Sequence, residues 1–159
     1  MKSRKRPLAL MKSISLRKTL MMSLLVTAVA SCSLVPYYDA GVIEQIEETT
    51  ATADRFYLLM AMDSTSEDSP RKYDAAEPYY YDLILDLRKV NRMNEYRKKS
   101  DASTKQVDLT IDIIETQKSL HASMERLDDP GLIELHRSQT MDALYILRAT
   151  ESRLPKQSN

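Results

Sequence analysis

A chain of 159 residues with 23 basic and 23 acidic side chains, two glycines, no tryptophan and one cysteine suits a single domain and forms no internal disulfide. Scarce glycine argues against strands joined by tight hairpins and against a phosphate-cradling loop. The charge is unevenly placed: residues 1–31 hold seven basic side chains and no acid, so the other 128 carry 16 basic against 23 acidic, a formal charge of −7, the wrong sign for general nucleic-acid binding.

The first 31 residues divide as an export signal does, into a basic stretch, an apolar run from Leu20 to Ala30, and small residues. Eleven residues of helix reach about 16 Å, against about 30 Å of hydrocarbon, so the run is too short for a stable span. Met11 is an alternative start that leaves the mature product unchanged. Val29-Ala30-Ser31-Cys32 resembles the lipobox of bacterial lipoproteins. That resemblance implies cleavage before Cys32, a diacylglycerol on its sulfur and an acyl group on the new amino terminus, with no other cofactor. Two or more chains hold a protein to a bilayer firmly, where one holds it only marginally. An ordinary signal peptide with an incidental cysteine, or an uncleaved anchor, stay open as alternatives. Ser33 resembles the default signal for outer-membrane sorting. The expected location is the cell envelope, lipid-anchored, and facing the periplasm from the outer membrane if the host has two membranes.

Residues 32–40 read as a lipidated tether containing Pro36, with Tyr37 and Tyr38 placed either at the membrane interface or against the body. A first helix is expected over 41–63, its stripe Ile43, Ile46, Thr50, Ala53, Tyr57 and Met60 stepping by three and four. The polar run 63–72 is a loop. A second helix covers about 75–99, with Tyr73, Ala76, Tyr80, Leu83, Ile84, Leu87 and Val90 inward; Pro78 belongs in a first turn, which starts the regular helix near Glu77. Asn94 falls polar on that stripe, to set register or to lie past the packed region.

Ser103 or Thr104 is the expected cap of a third helix running to about Leu127, with Val107, Ile111, Ile114, Leu120, His121, Met124 and Leu127 inward. Asp129-Pro130 is a start signal for a fourth helix to about Arg153, with Ile133, Met141, Leu144, Leu147 and Leu154 inward. Pro155 and a polar tail over 156–159 follow. Four stripes of similar length joined by short breaks predict an all-α, antiparallel, up-down four-helix bundle over 41–155, behind the signal peptide and tether. No helix is apolar all round, so none is expected to cross a bilayer.

Sparse marks across 37–154 resemble a family of small, helical, uncharacterised bacterial lipoproteins. They are Tyr38-Asp39 after the cysteine, Phe56, Tyr79-Tyr80 with Asp86-Leu87, Leu120-His121, and Leu147 with Glu151. The serine-rich first loop departs from the glycine-containing turn common in such relatives. The resemblance implies an envelope-facing helical bundle and no particular activity.

Little in the sequence carries chemistry. His121 and His136 are the only histidines and lie on different helices without the Glu-x-x-His pairs of a bundle metal site, so no metal site is expected. His121 reads as a hydrogen-bonded core histidine, meeting Tyr80. Cys32 is committed to its acyl group, serines have no strand-turn-helix setting, and Asp128-Asp129 serves as a cap, so no catalytic residue is assigned and the protein is expected not to be an enzyme. Tyr79, Tyr80 and Tyr81 are consecutive, so at least one is exposed and fit to contact a partner. Arg88, Lys89, Arg92, Arg97, Lys98, Lys99 and Lys105 form either a solvated face or a docking patch. The expected function is a lipid-anchored, non-catalytic protein-interaction module of the envelope, bound to the membrane through Cys32 and to an envelope protein through Tyr79, Arg92 and Lys98. The alternative is a carrier or sensor holding a small apolar ligand between its helices, which an internal cavity distinguishes from a filled core.

Overall fold

The computed structural model describes residues 38–62, 66, 68–97 and 100–154. Cys32, the leader, Tyr37, Lys98 and Lys99 lie outside the described residues. Among the described residues four helices follow one another: α1 Ala40–Met62, α2 Tyr73–Glu95, α3 Asp101–Met124 and α4 Pro130–Ser152. They form a ring in which α1 packs against α2 and α4, and α3 packs against α2 and α4. Cross-links run head to tail: Asn94 at the end of α2 meets Ser103 at the start of α3, and Glu47 early in α1 meets Arg148 late in α4. The chain is an antiparallel, up-down four-helix bundle.

Local chemistry sets the starts. The Asp39 carboxylate accepts a hydrogen bond from the Gly41 amide at 2.9 Å, and Asp129 accepts from the Gly131 amide at 2.8 Å with Pro130 in the first helical position, so both carboxylates satisfy orphan amides. The α2 start differs from expectation. The helix begins at Tyr73 and holds Pro78 inside it. Its first turn is held twice: from outside, where the Tyr73 amide donates to the Glu125 carbonyl at 2.9 Å, and from within, where the Tyr73 hydroxyl donates to Glu77 one turn on at 2.9 Å. These bonds stabilise a turn that proline weakens by removing one internal donor.

The second boundary also moves. Ser103 and Thr104 do not cap α3, which begins at Asp101. Instead the Ser100 hydroxyl donates to the Asn94 carbonyl at 2.6 Å and closes the end of α2, while Ser103 is buried and accepts from the Asn94 side chain at 2.8 Å. Asn94 is thus a buried tie between α2 and α3. At the other end α3 stops at Met124, and Glu125 turns the chain with a positive φ of 58°.

The core joins Val42, Ile46, Ala53, Phe56, Tyr57 and Met60 of α1 to Leu83, Leu87 and Val90 of α2, Val107 and Ile114 of α3, and Leu144 and Leu147 of α4. The α2 stripe is as expected from Ala76 to Val90, with Tyr73 half-buried. In α1 the expected Ile46, Ala53, Tyr57 and Met60 are buried, but the face extends to one side, so Val42, Gln45, Thr49 and Phe56 are also inside while Ile43 and Thr50 are half-buried. In α3, Leu120 and Met124 are exposed and Thr110 and Gln117 are inside; in α4, His136, Thr140 and Glu151 are inside while Met141 is half-buried.

Candidate functional site

The apolar stepping of α3 breaks between Ile114 and His121, and that of α4 between Ile133 and Leu144. The gaps are filled by polar side chains that meet in the middle. Tyr57 donates to Gln117 Oε1 at 2.6 Å, Thr140 donates to the same oxygen at 3.1 Å, and Gln117 Nε2 donates to the His136 carbonyl at 3.1 Å and to Gln139 Oε1 at 3.3 Å. One amide therefore links α1, α3 and α4. Burial pushes the Tyr57 hydroxyl up to about 12, with the Thr140 hydrogen bond pulling the other way.

A second buried group lies where α1 ends. Arg71 donates from Nε to the Met60 carbonyl at 2.7 Å and from Nη2 to the Ala61 carbonyl at 3.2 Å, satisfying the orphan acceptors at the end of α1. The Arg71 carbonyl lies 2.8 Å from His121 Nε2. A carbonyl only accepts, so Nε2 carries the hydrogen and Nδ1 accepts from the Tyr80 hydroxyl at 3.3 Å. His121 is the hydrogen-bonded core histidine expected, and burial holds its pKa below the ordinary range. The same hydroxyl of Tyr80 is pushed up by burial.

A third polar group closes the opposite end, where α2 and α4 finish. Arg97 Nη2 pairs with Glu151 Oε2 at 2.8 Å, with the Glu151 side chain fully buried. Arg97 Nη1 also donates to Asn94 Oδ1 at 2.9 Å. Among the described residues no three His, Cys, Asp or Glu side chains come together in a way that could hold a metal ion, and no helix is long and apolar enough to cross a membrane.

The surface residues chosen from sequence separate. Tyr80 is buried and Tyr79 is half-buried, stacked on Phe56 with ring centroids 5.1 Å apart. Of the three consecutive tyrosines it is Tyr81 that is exposed, with Lys118 Nζ 3.6 Å above its ring. Arg92 is exposed on α2. Tyr38 is half-buried.

An apolar concave feature of the surface lies elsewhere, between α3 and α4. A groove of about 810 Å³ runs from Gln106 to Leu120 on α3 and from Leu132 to Ile146 on α4. Its flanks carry Leu109, Leu120, Leu135 and Ile146, each between 41% and 51% exposed, which makes a contiguous apolar face of the kind that marks interaction sites. His136 lies in its floor, buried, with Nδ1 making no hydrogen bond; burial and the neighbouring His121 lower its pKa. The carboxylates of Asp112 and Asp142 line the groove, and no lysine or arginine does. Neither Tyr79 nor Arg92 belongs to the lining.

Sequence reasoning missed this groove because it assigned Leu120 to the core. Of adjacent Leu120 and His121 it is His121 that is buried, with Tyr80 and Arg71 satisfying both its nitrogens, and Leu120 is left 41% exposed. The surplus of apolar residues on α3 and α4, beyond one stripe each, was the available signal. Comparison with known protein families, with curated proteins and with solved structures finds no match to this chain.

Proposed function

We propose that this protein is a lipid-anchored, non-catalytic module of the bacterial cell envelope that binds a partner protein in the groove between α3 and α4. The anchor rests on the sequence Val29-Ala30-Ser31-Cys32 behind a short apolar run. Cys32 precedes the first helix by eight residues, a tether short enough to keep the bundle close to the bilayer and raise the local concentration of membrane-associated partners. On this reading the bundle faces the periplasm if the host has two membranes, and Cys32 carries a diacylglycerol and an N-acyl group.

The observation that carries the binding role is the open, apolar α3–α4 groove. The interior supports the same choice over a carrier: core side chains such as Leu83, Leu87, Ile114 and Leu144 have no exposure at all, and the α3–α4 groove opens to solvent along the outside of the bundle rather than lying enclosed between four helices.

Two measurements test the proposal. Cys32→Ser should abolish fatty-acid labelling and leave an unprocessed or soluble product; unchanged labelling removes the anchor. A photo-crosslinker placed at Leu135 in living cells should trap a discrete protein adduct, and one at the exposed Arg55 of α1 should not; equal trapping from both positions removes the groove as the binding face.

A further inference from the structure

We infer that the occupant of the α3–α4 groove is a single amphipathic helix of a partner protein, about four turns long, with cationic side chains flanking its apolar face. This rests on the binding role proposed above and specifies the partner. The groove has matched flanks of 14 residue steps, Gln106 to Leu120 and Leu132 to Ile146, each about 21 Å long at 1.5 Å per residue. A helix of about 15 residues fills that length and presents apolar side chains at positions i, i+3 or i+4, and i+7 to Leu109, Leu120, Leu135 and Ile146.

The charge of the occupant follows from the lining. Asp112 stands on the α3 side and Asp142 on the α4 side. Both are exposed, and among the described residues neither forms an ion pair and no cation lines the groove to balance them. A lysine or arginine on each side of a bound helix meets these carboxylates at the rim, where charge sets specificity and association rate. A second copy of this chain docked through the same face brings like carboxylates together, which is repulsive. An anionic lipid surface is repelled by the same pair. A small apolar molecule leaves both carboxylates unused and stays uncovered on its outer side, unlike the enclosed sites such ligands prefer.

The test uses the full lipidated chain in phosphatidylcholine vesicles and three fluorescent 15-residue peptides: a leucine-striped helix flanked by lysine, the same stripe flanked by glutamate, and the lysine peptide with serine in place of leucine. Protein-free vesicles serve as the blank. The lysine-flanked leucine peptide should bind saturably and at least about tenfold more tightly than the glutamate-flanked one, a difference of about 1.4 kcal/mol. The serine peptide should not bind. Asp112→Lys with Asp142→Lys should reverse the preference, and Leu135→Glu should abolish binding of both while circular dichroism stays unchanged.

Equal binding of both leucine peptides, still lost in Leu135→Glu, overturns the cationic partner and leaves the groove as a protein-binding face. No peptide binding, with a dimer in sedimentation that Leu135→Glu dissociates, overturns the inference in favour of a second copy. No peptide binding with saturable uptake of cis-parinaric acid overturns both this inference and the binding role in favour of a carrier. Binding of nothing at all overturns both as well.

Discussion

Helix α4 has two flanks, and they are built differently. Toward α1 the seam is closed by charge on the outside: Arg148 donates twice to Glu47, at 2.7 and 2.9 Å, and Arg137 reaches Asp54 at 2.9 Å. Inside that seam, Tyr57 and Thr140 lie 3.1 Å apart. Toward α3, no ion pair crosses the seam among the described residues, and half-exposed Leu120, Leu135 and Ile146 stand where the other seam has arginines. The α2–α3 seam resembles the closed one, with Lys118 3.5 Å from Glu77 and Asn91 donating to Asp108 at 2.6 Å. Polar bridges over a filled seam cover the apolar stripe beneath it. The α3–α4 seam is bridged at its middle by Gln117 and Gln139, with no ion pair over its flanks among the described residues, and that leaves the apolar side chains there available to another molecule.

The sharpest way to break this arrangement is to free the end of α4. Arg97→Ala leaves the fully buried Glu151 carboxylate without its partner, and the loss should be about 3–5 kcal/mol, read by chemical denaturation. If α4 is held mainly through α3, the loss will be far smaller.

Next come two residues on the same helix. Leu144 has no exposure, and Ile146 is half-exposed in the groove. Leu144→Ala should cost about 2–5 kcal/mol, whereas Ile146→Ala should stay within about 0.5 kcal/mol. Equal losses would mean the groove is part of the core. The polar link across the bundle is weaker: Tyr57→Phe removes the 2.6 Å bond to Gln117 and should cost about 1 kcal/mol, because Thr140 still donates to the same oxygen.

The pH dependence separates the two flanks by a different measurement. The pKa values of His121 and His136 lie below the ordinary 6.5 because burial disfavours their charged forms. Below about pH 6.5 the unfolded chain therefore binds more protons than the folded one, and stability should fall as pH drops from there toward the folded values. Tyr57 and Tyr80 are raised, so stability should also fall as pH rises above about 10, where unfolded tyrosines ionise first. His136→Gln, in the groove floor, should flatten part of the acid-side loss, which denaturation at stepped pH would show. The smallest effect is expected at the exposed bridge: Arg148→Ala should cost under about 1 kcal/mol, with the difference shrinking in high salt.

Much of the architecture was legible from spacing alone. Four helical stripes, the Asp129-Pro130 start and the inward residues of α2 follow from periodicity and from local capping, and both operate within a few residues of chain. Polar residues at stripe positions were harder. Gln117, Thr140 and Glu151 sit where stepping by three and four places a core residue, but the pattern of apolar side chains passes over them. Their burial depends on partners 19 to 83 residues away for the central network and 54 away for Glu151.

The sideways extension of the α1 buried face and the exposure of Leu120 have the same origin. A helix with more apolar residues than one stripe needs has several faces of comparable hydrophobicity, and the neighbouring helices choose among them. The amino-acid order by itself determined that this chain forms four amphipathic helices in an up-down bundle, because each hydrophobic repeat and each cap is a local matter of which side chains fall on one side of a helix. Only the tertiary structure decided which of those apolar residues close the core and which open the α3–α4 groove, because that depends on where buried hydrogen-bonding groups find partners on other helices.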